Sequence, residues 1–415
     1  MIATPSRSDA GASLERLLPR LRALLVAARL WARGGKLQAK AVDQALDEAL
    51  LELHRHHVAR IPVYRRLALD AGVEDVPDAA TIARELMVTS DLFKSYDPAW
   101  LTERDFEALT DWLGTLFVRE PAVSLEGVSD LADWRAHLRS GGVFVGISSG
   151  TSGRPSFVPR DHATLTALRR NGAIYARATY GNLFPTNPDC LLLTGDGIAL
   201  GIQAAARGLG AGAEHVHHLD PAGVDGGWHE AIAFLAAASG AERPVLVFGT
   251  PPLVDELCAR AEADLRRPPA PGSAVVTGGG WKTVRATTPA ELLGRVERAL
   301  GIPPAYVVDV YGATELNAYL LRCPHGSYHV PPIIRAVVLD DLLAPLEGDD
   351  VTGLLGFLDA FALSYPGFVI PGDVARVVRR ACPCGLDGQA VVGPIERAPE
   401  HETRGCATAL HAGAT

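Results

Sequence analysis

The chain has 415 residues, 48% of them hydrophobic, and a formal net charge of −9. This length and apolar content support a large buried core, while the acidic balance argues against nucleic acid as a partner, because neutralising phosphates needs a basic face. No run of about 18 apolar residues free of charge occurs, so no transmembrane segment is expected.

In chain order, residues 1 to 12 read as disordered. Leu14 to Trp31 are apolar-rich but interrupted at helical spacing by Glu15, Arg16, Arg20, Arg22 and Arg29. A signal peptide would carry basic residues first and then an unbroken apolar core, so an amphipathic helix is expected, with peripheral membrane contact a minor alternative. Ala41 to Ala71 is predicted as a helix with Leu46, Leu50, Leu51 and Leu53 on its apolar stripe. His54, His56 and His57 are expected on its solvated surface. A helical region broken by loops continues to about residue 140.

Beyond it, "GGVFVGIS", "DCLLLTG", "RPVLVFGT", "SAVVTGGG" and "AYVVDVYG" read as short apolar strands. Helical patterns alternate with them: "DHATLTALRRNGAIYARATY", "PPLVDELCARAEADL" and "TPAELLGRVERAL". Strand, loop and helix repeated in this way predict an α/β fold with a mostly parallel sheet covered by helices. Ligands of such sheets gather at the carboxyl ends of the strands, where the glycine-rich turns fall. That coincidence points to a nucleotide. The turn Ser148-Ser149-Gly150-Thr151-Ser152-Gly153-Arg154-Pro155 follows a strand at Val143 to Ile147, and its hydroxyls and backbone N–H groups suit phosphates. It lacks the Gly-Lys-Ser/Thr of a Walker loop. On composition alone, an ordinary surface turn fits it equally well.

Six cysteines are present, at 190, 258, 323, 382, 384 and 406. A large chain without an export signal implies reduced thiols and a cytoplasmic setting. Cys190 opens an apolar strand and Cys258 lies in a helix; both read as core. Cys323 and His329 form a C-x5-H pair, and Cys382 and Cys384 a C-x-C pair about fifty residues downstream, together one nitrogen and three sulfur ligands for a tetrahedral structural zinc. His325 is the rival histidine, and thiols buried as small apolar groups are the alternative.

Three motifs in fixed order carry a resemblance. "SSGTSGRPSFVPRD", then "VYGATE" with Tyr311, Gly312, Thr314 and Glu315, then "IPGDVARV" with Asp373, resemble the signature elements of the acyl-adenylate-forming superfamily. The resemblance implies a large adenylate-forming domain of the N-terminal type and a reaction of ATP with a carboxylic acid. It implies that Ser148, Ser149, Gly150, Thr151, Ser152 and Gly153 hold the β- and γ-phosphates, and that Tyr311 and Gly312 flank the adenine. Thr314 would bond the α-phosphate, Glu315 would bind Mg²⁺, and Asp373 would accept both ribose hydroxyls.

Further wording narrows the branch. "TGGGWK" (Thr277 to Lys282), "VTSDLFKSYD" (residues 88 to 97) and "IERAPEHETRGCATAL" resemble the acyl-protein synthetase of bacterial bioluminescence, from about residue 45 onward. This implies a fatty acid substrate, Gly278, Gly279 and Gly280 beside the adenine, and Cys406 as the thiol that takes the acyl group, its pKa lowered by Arg404. It also implies a partner such as an acyl reductase. The phenylacetate–CoA ligase branch shares the nucleotide motifs and a similar metal site, and would send the acyl group to coenzyme A instead. The expected organisation is an N-terminal extension (1–40), a catalytic domain (41–393) and a short tail (394–415), with the superfamily's mobile C-terminal domain missing. Its lysine therefore cannot be carried over; Arg160, Lys282 or Arg397 would have to offset phosphate charge. His217, His218 and Trp281 read either as ordinary loop or packing residues or as neighbours of the acyl pocket.

Overall fold

The computed structural model describes residues 7–33, 39–148, 154–180, 184, 187–193, 213–219, 224–279 and 287–398. The chain divides into two compact units. One comprises Met1–Ala167, Thr314–Ala318 and Val330–Thr415; the other comprises Leu168–Ala313 and Tyr319–His329.

The second unit contains the parallel sheet expected from sequence. Its strands run in the order Val216–His218, Asp189–Leu192, Val245–Gly249, Ala274–Gly278, Val307–Tyr311, all parallel, with Leu320–Leu321 added antiparallel at one edge. Val245–Gly249 is buried at every position, which is why it reads as an unbroken apolar run rather than as alternation. The helix Pro289–Leu300 is specified at both ends. Thr288 and Glu291 form a capping box, proline opens the first turn, and Gly301 closes it at φ 65°. Its Leu292, Val296 and Leu300 pack with Leu257, Val247 and Val275. Cys190 and Cys258 are buried, and burial pushes each thiol up to about 12, so both belong to the core as expected. His217 and His218 lie on a strand rather than in a loop, and the His217 ring stacks on Phe234 at 5.5 Å.

The first unit departs from the parallel pattern. Ile334–Leu339, Asp350–Asp359, Asp373–Arg379 and Gln389–Arg397 form successive antiparallel pairs. Phe368–Ile370 lies antiparallel to Asp350–Asp359 and parallel to Val88–Thr89. The strand predicted over Val143 to Ile147 is present as Phe144–Ile147, but it enters no parallel sheet. It pairs antiparallel with Phe157–Arg160, Phe144 opposite Arg160 and Ile147 opposite Phe157. A cluster of Tyr96, Phe106, Leu113, Trp134, Val145 and Phe157 forms a core with it.

Three N-terminal expectations are corrected. Residues 7–12 are not disordered but open the helix Arg7–Ala32, which buries Leu17, Leu21, Leu24, Ala28 and Trp31 and packs on the next helix. The helix expected from Ala41 to Ala71 is two helices, Ala39–Arg60 and Pro62–Asp70, because Ile61 stays extended (φ −106°, ψ 111°) before its proline. The three histidines are not on a solvated surface: His54 and His57 are fully buried and His56 is 6% exposed. His57 Nε2 bonds the Ala362 carbonyl at 2.9 Å, and His54 meets the Tyr64 hydroxyl and the Glu74 carbonyl.

Burial lowers the pKa of all three imidazoles, that of His56 to about 4. They fold neutral, so the unfolded chain binds more protons below the ordinary histidine pKa of 6.5. Stability is therefore full above that pH and is lost as pH falls toward 4. His56 alone accounts for about 3 kcal/mol of this loss. Chemical denaturation at successive pH values should show this acid loss, and a His56→Gln variant should reduce it, leaving the shares of His54 and His57.

Candidate nucleotide site

In the first unit, the strand Phe144–Ile147 leads into Ser148, and Arg154 to Ser156 lead back out of the turn. Ser148 N–H donates to the Ser156 carbonyl at 3.2 Å, while Ser156 N–H donates to Ser148 Oγ at 3.1 Å, closing the neck of the loop. Tyr96 fastens the exit. Its hydroxyl donates to the Pro155 carbonyl at 3.0 Å, the Arg154 guanidinium donates to the Tyr96 carbonyl, and the same guanidinium sits over the Tyr96 ring. Ser149, Gly150, Thr151, Ser152 and Gly153 lie outside the described residues.

The strand before the loop lies against Thr314. A Cβ on Gly146 would come within 3.2 Å of the Thr314 methyl and 3.0 Å of Arg160 Nη1, so a larger residue here would crowd both side chains. Glu315 is 5% exposed. Burial raises its carboxyl pKa, and its own backbone N–H, Lys94, the Ser156 hydroxyl and Arg160 pull the other way. A buried carboxylate offers the oxygen ligand that a hard cation selects.

Sequence reasoning missed what holds this segment. Arg160, 2% exposed, donates to Asn317 Oδ1 at 3.2 Å, to the carbonyls of Thr314 and Leu316 at 2.6 and 2.8 Å, and to the Tyr365 hydroxyl at 3.2 Å. Its Nε and Nη2 are thus engaged beneath the Thr314–Glu315 turn, while Nη1 lies beside Gly146. The Asn317 amide donates to the Thr164 and Phe361 carbonyls, and Asn317 N–H donates to Asp359 Oδ2 at 2.7 Å. Burial pushes Asp359 up to about 6. Of this network only Arg160 stood out in the sequence, and there as a candidate cation for phosphate, not as a support of this turn.

The segment after Asp359 carries the third motif. Tyr365 donates its hydroxyl to the Glu315 carbonyl at 2.9 Å, Phe368–Ile370 follows as a strand, and Gly372 turns at φ 87° into Asp373. Asp373 sits opposite Arg397, whose Nη1 donates to its Oδ1 at 3.1 Å. Arg397, one of the three cations considered for phosphate, thus pairs with the expected ribose acceptor.

In the second unit, Gly278 and Tyr311 end adjacent parallel strands on the same side, Gly278 level with Val310. A Cβ on Gly278 would lie 3.2 Å from the Val310 carbonyl, and Gly279 turns at φ 81°. Tyr311 meets Tyr328 edge-on at 6.5 Å, and Gly312 is exposed. Gly280, Trp281, Lys282 and Cys406 lie outside the described residues.

The zinc candidates sit on two turns of the same design. In Cys323-Pro324-His325-Gly326, Gly326 N–H donates to the Cys323 carbonyl and Cys323 N–H to the Ser327 carbonyl, both at 2.8 Å. In Cys382-Pro383-Cys384-Gly385, Gly385 N–H donates to the Cys382 carbonyl at 2.9 Å and Cys382 N–H to the Leu386 carbonyl at 3.1 Å. Both glycines have positive φ, 81° and 91°, which turns the chain back under the sulfur. Val330, next after His329, donates to the Gln389 carbonyl at 2.9 Å. The ligand atoms of Cys323, His329, Cys382 and Cys384 all lie within 4.8 Å of one another. Burial lowers His329 to about 4, leaving a neutral ring able to bind metal. A nitrogen and three sulfurs fit zinc. His325, in the first turn, is outside this group.

Solved structures place the fold in a class. A 2-hydroxyisobutyryl-CoA ligase in an open conformation with 2-HIB-AMP and CoA superposes with TM-score 0.58 and 17% identity, covering 86% of this chain and 74% of that one. The same ligase in its postadenylation state gives TM-score 0.61 and 16% identity, covering 88% and 70%. The fold is that of the adenylate-forming ligases. Within that class, residues 234–415 match the family "Acyl-protein synthetase, LuxE". Two long-chain-fatty-acid–luciferin-component ligases align over part of the chain. The one from Aliivibrio fischeri is 26% identical over 144 residues, 33% of this chain and 36% of the relative. The one from Vibrio harveyi is 29% identical over 139 residues, 28% and 35%. The alignments thus span about a third of each relative. Among the described residues no helix is long and apolar enough to cross a membrane.

Proposed function

We propose that this chain is an AMP-forming ligase that activates a carboxylic acid of the fatty acid class. The acid's carboxylate attacks the α-phosphorus of ATP, pyrophosphate leaves, and acyl-AMP remains. A thiolate then attacks the acyl carbon and AMP departs, leaving a thioester. The observation that carries the reading is the suturing of three motifs within one unit: the strand pair that carries the Ser148 turn, the Thr314–Glu315 turn and the segment leading toward Asp373 are tied together through Arg160, Asn317, Asp359 and Tyr365.

In this reading the Ser148 to Gly153 loop grips the triphosphate and Glu315 holds Mg²⁺. Thr314 steadies the α-phosphate and Asp373 takes the ribose hydroxyls. Gly278, Gly279, Gly280, Tyr311 and Gly312 form the adenine wall, and Lys282 supplies positive charge. Rate comes from positioning and charge neutralisation rather than from covalent help. Cys406 is the acceptor thiol, and delivery goes to a partner such as an acyl reductase. With coenzyme A as acceptor no enzyme thioester would form, so one experiment separates the two. Cys406→Ser should abolish covalent labelling by radioactive fatty acid and ATP while leaving acid-dependent pyrophosphate exchange within a factor of two. Labelling that survives the substitution rejects Cys406, and absence of exchange across a panel of acids rejects adenylation.

Cys323, His329, Cys382 and Cys384 are proposed to hold one structural zinc. Elemental analysis should find one zinc per chain, Cys384→Ser should lose it, and chelation should lower the melting temperature.

A further inference from the structure

The helix Arg7–Ala32 has a second face. Its inner side buries Leu17, Leu21, Leu24, Ala28 and Trp31, whereas Leu18, Val26 and Leu30 are 40%, 56% and 50% exposed, three of the few large apolar side chains so open among the described residues. At about 100° per residue, Leu18, Arg22, Val26, Arg29 and Leu30, with Arg33 just past the helix end, fall on one outer arc of roughly a third of the circumference, which a single exposed acid, Glu15, shares nearer the N-terminus. All three of these arginines are exposed.

The arginines divide by position. Those on the flank toward the helix Ala39–Arg60 are neutralised: Arg16 pairs with Glu52 at 3.0 Å and Arg20 with Glu48 at 2.6 Å. Arg22, Arg29 and Arg33, on the outer arc, have no carboxylate within ion-pair distance among the described residues. The segment is therefore locally cationic on a chain whose net charge is −9.

We infer that this outer arc is a docking face for an anionic lipid surface, with the helix lying flat in the headgroup region. Unpaired arginines meet lipid phosphates while Leu18, Val26 and Leu30 enter the acyl boundary. Charge complementarity selects this occupant. An apolar protein partner would gain nothing from three unpaired guanidiniums interleaved with the leucines and valine, and a second copy of the same arc would set arginine against arginine. The acidic remainder of the chain is repelled by the same surface, so contact is confined to this helix. The inference stands independently of the catalytic reading.

The full chain should co-sediment with phosphatidylcholine vesicles containing phosphatidylglycerol at low ionic strength, and far less with phosphatidylcholine alone. Arg22→Glu/Arg29→Glu/Arg33→Glu should weaken sedimentation by about tenfold or more. Leu18→Ser/Val26→Ser/Leu30→Ser should remove the portion that resists added salt. Because the six positions are exposed, melting temperatures should stay unchanged, which checks folding without reference to activity. The inference is overturned by failure of the wild-type chain to sediment, by equal binding to neutral vesicles, or by unaltered binding of both variants. It is equally overturned if the serine variant converts a dimer to a monomer in light scattering without changing vesicle binding.

Discussion

Glu315→Gln is expected to lower acid-dependent pyrophosphate exchange by about 100- to 1000-fold, the loss typical of removing one fixed charge-stabilising group from a reaction centre. The substitution keeps shape and removes only the charge. In the free protein that charge is costly: burial raises the Glu315 pKa against the pull of Lys94, Ser156 and Arg160, so an amide should fold at least as well. Activity and stability are thus expected to move in opposite directions, whereas a residue that merely supports the fold would lose both. Equilibrium denaturation and pyrophosphate exchange on the same preparation, with Mg²⁺ titrated, make the comparison. Full exchange by the variant at ordinary Mg²⁺ would falsify the assignment of Glu315 to the metal.

Arg160→Ala should act the other way, on stability first. The side chain satisfies Asn317 Oδ1, two backbone carbonyls and a tyrosine hydroxyl in a fully buried setting, and its charge opposes the raised pKa of Asp359. Removing one partner of a buried charge network costs about 3–5 kcal/mol, a large share of the 5–15 kcal/mol that holds a typical domain folded. Arg160→Lys keeps the charge but not the planar fork that reaches several acceptors at once, so it should fall between wild type and alanine. Urea midpoints in that order would support the network; a lysine variant as stable as wild type would reduce it to simple charge.

The two units differ in how openly the sequence announces them. Val245–Gly249 and Ala274–Gly278 are short apolar runs closed by glycine, each followed by a helix with its own start signal, such as Thr288-Pro289 through Glu291. Parallel strands buried on both faces leave that signature. The antiparallel sheet of the first unit does not. In "VTGLLGFLDAFALSYPGFVI" nearly every residue from Leu355 to Ile370 is buried, so neither alternation nor helical spacing survives to mark where Asp350–Asp359 stops and Phe368–Ile370 begins. The motif residues were legible because chemistry restricts them. The side chains that hold them were not: Asn317, Asp359 and Tyr365 matter through partners more than forty positions away, and spacing along a chain carries no such information. His54, His56 and His57 failed for a related reason, since their partners at Glu74 and Ala362 come from other elements.

The threading of the chain also bears on how such a protein can be cut or recombined. Thr314–Ala318 is a five-residue excursion of one unit lodged between two pieces of the other, and the stretch matching the acyl-protein synthetase family from residue 234 onward includes parts of both. No single pair of breakpoints releases either unit as a continuous polypeptide. Any exchange of whole segments among relatives must therefore sever one body to transplant the other.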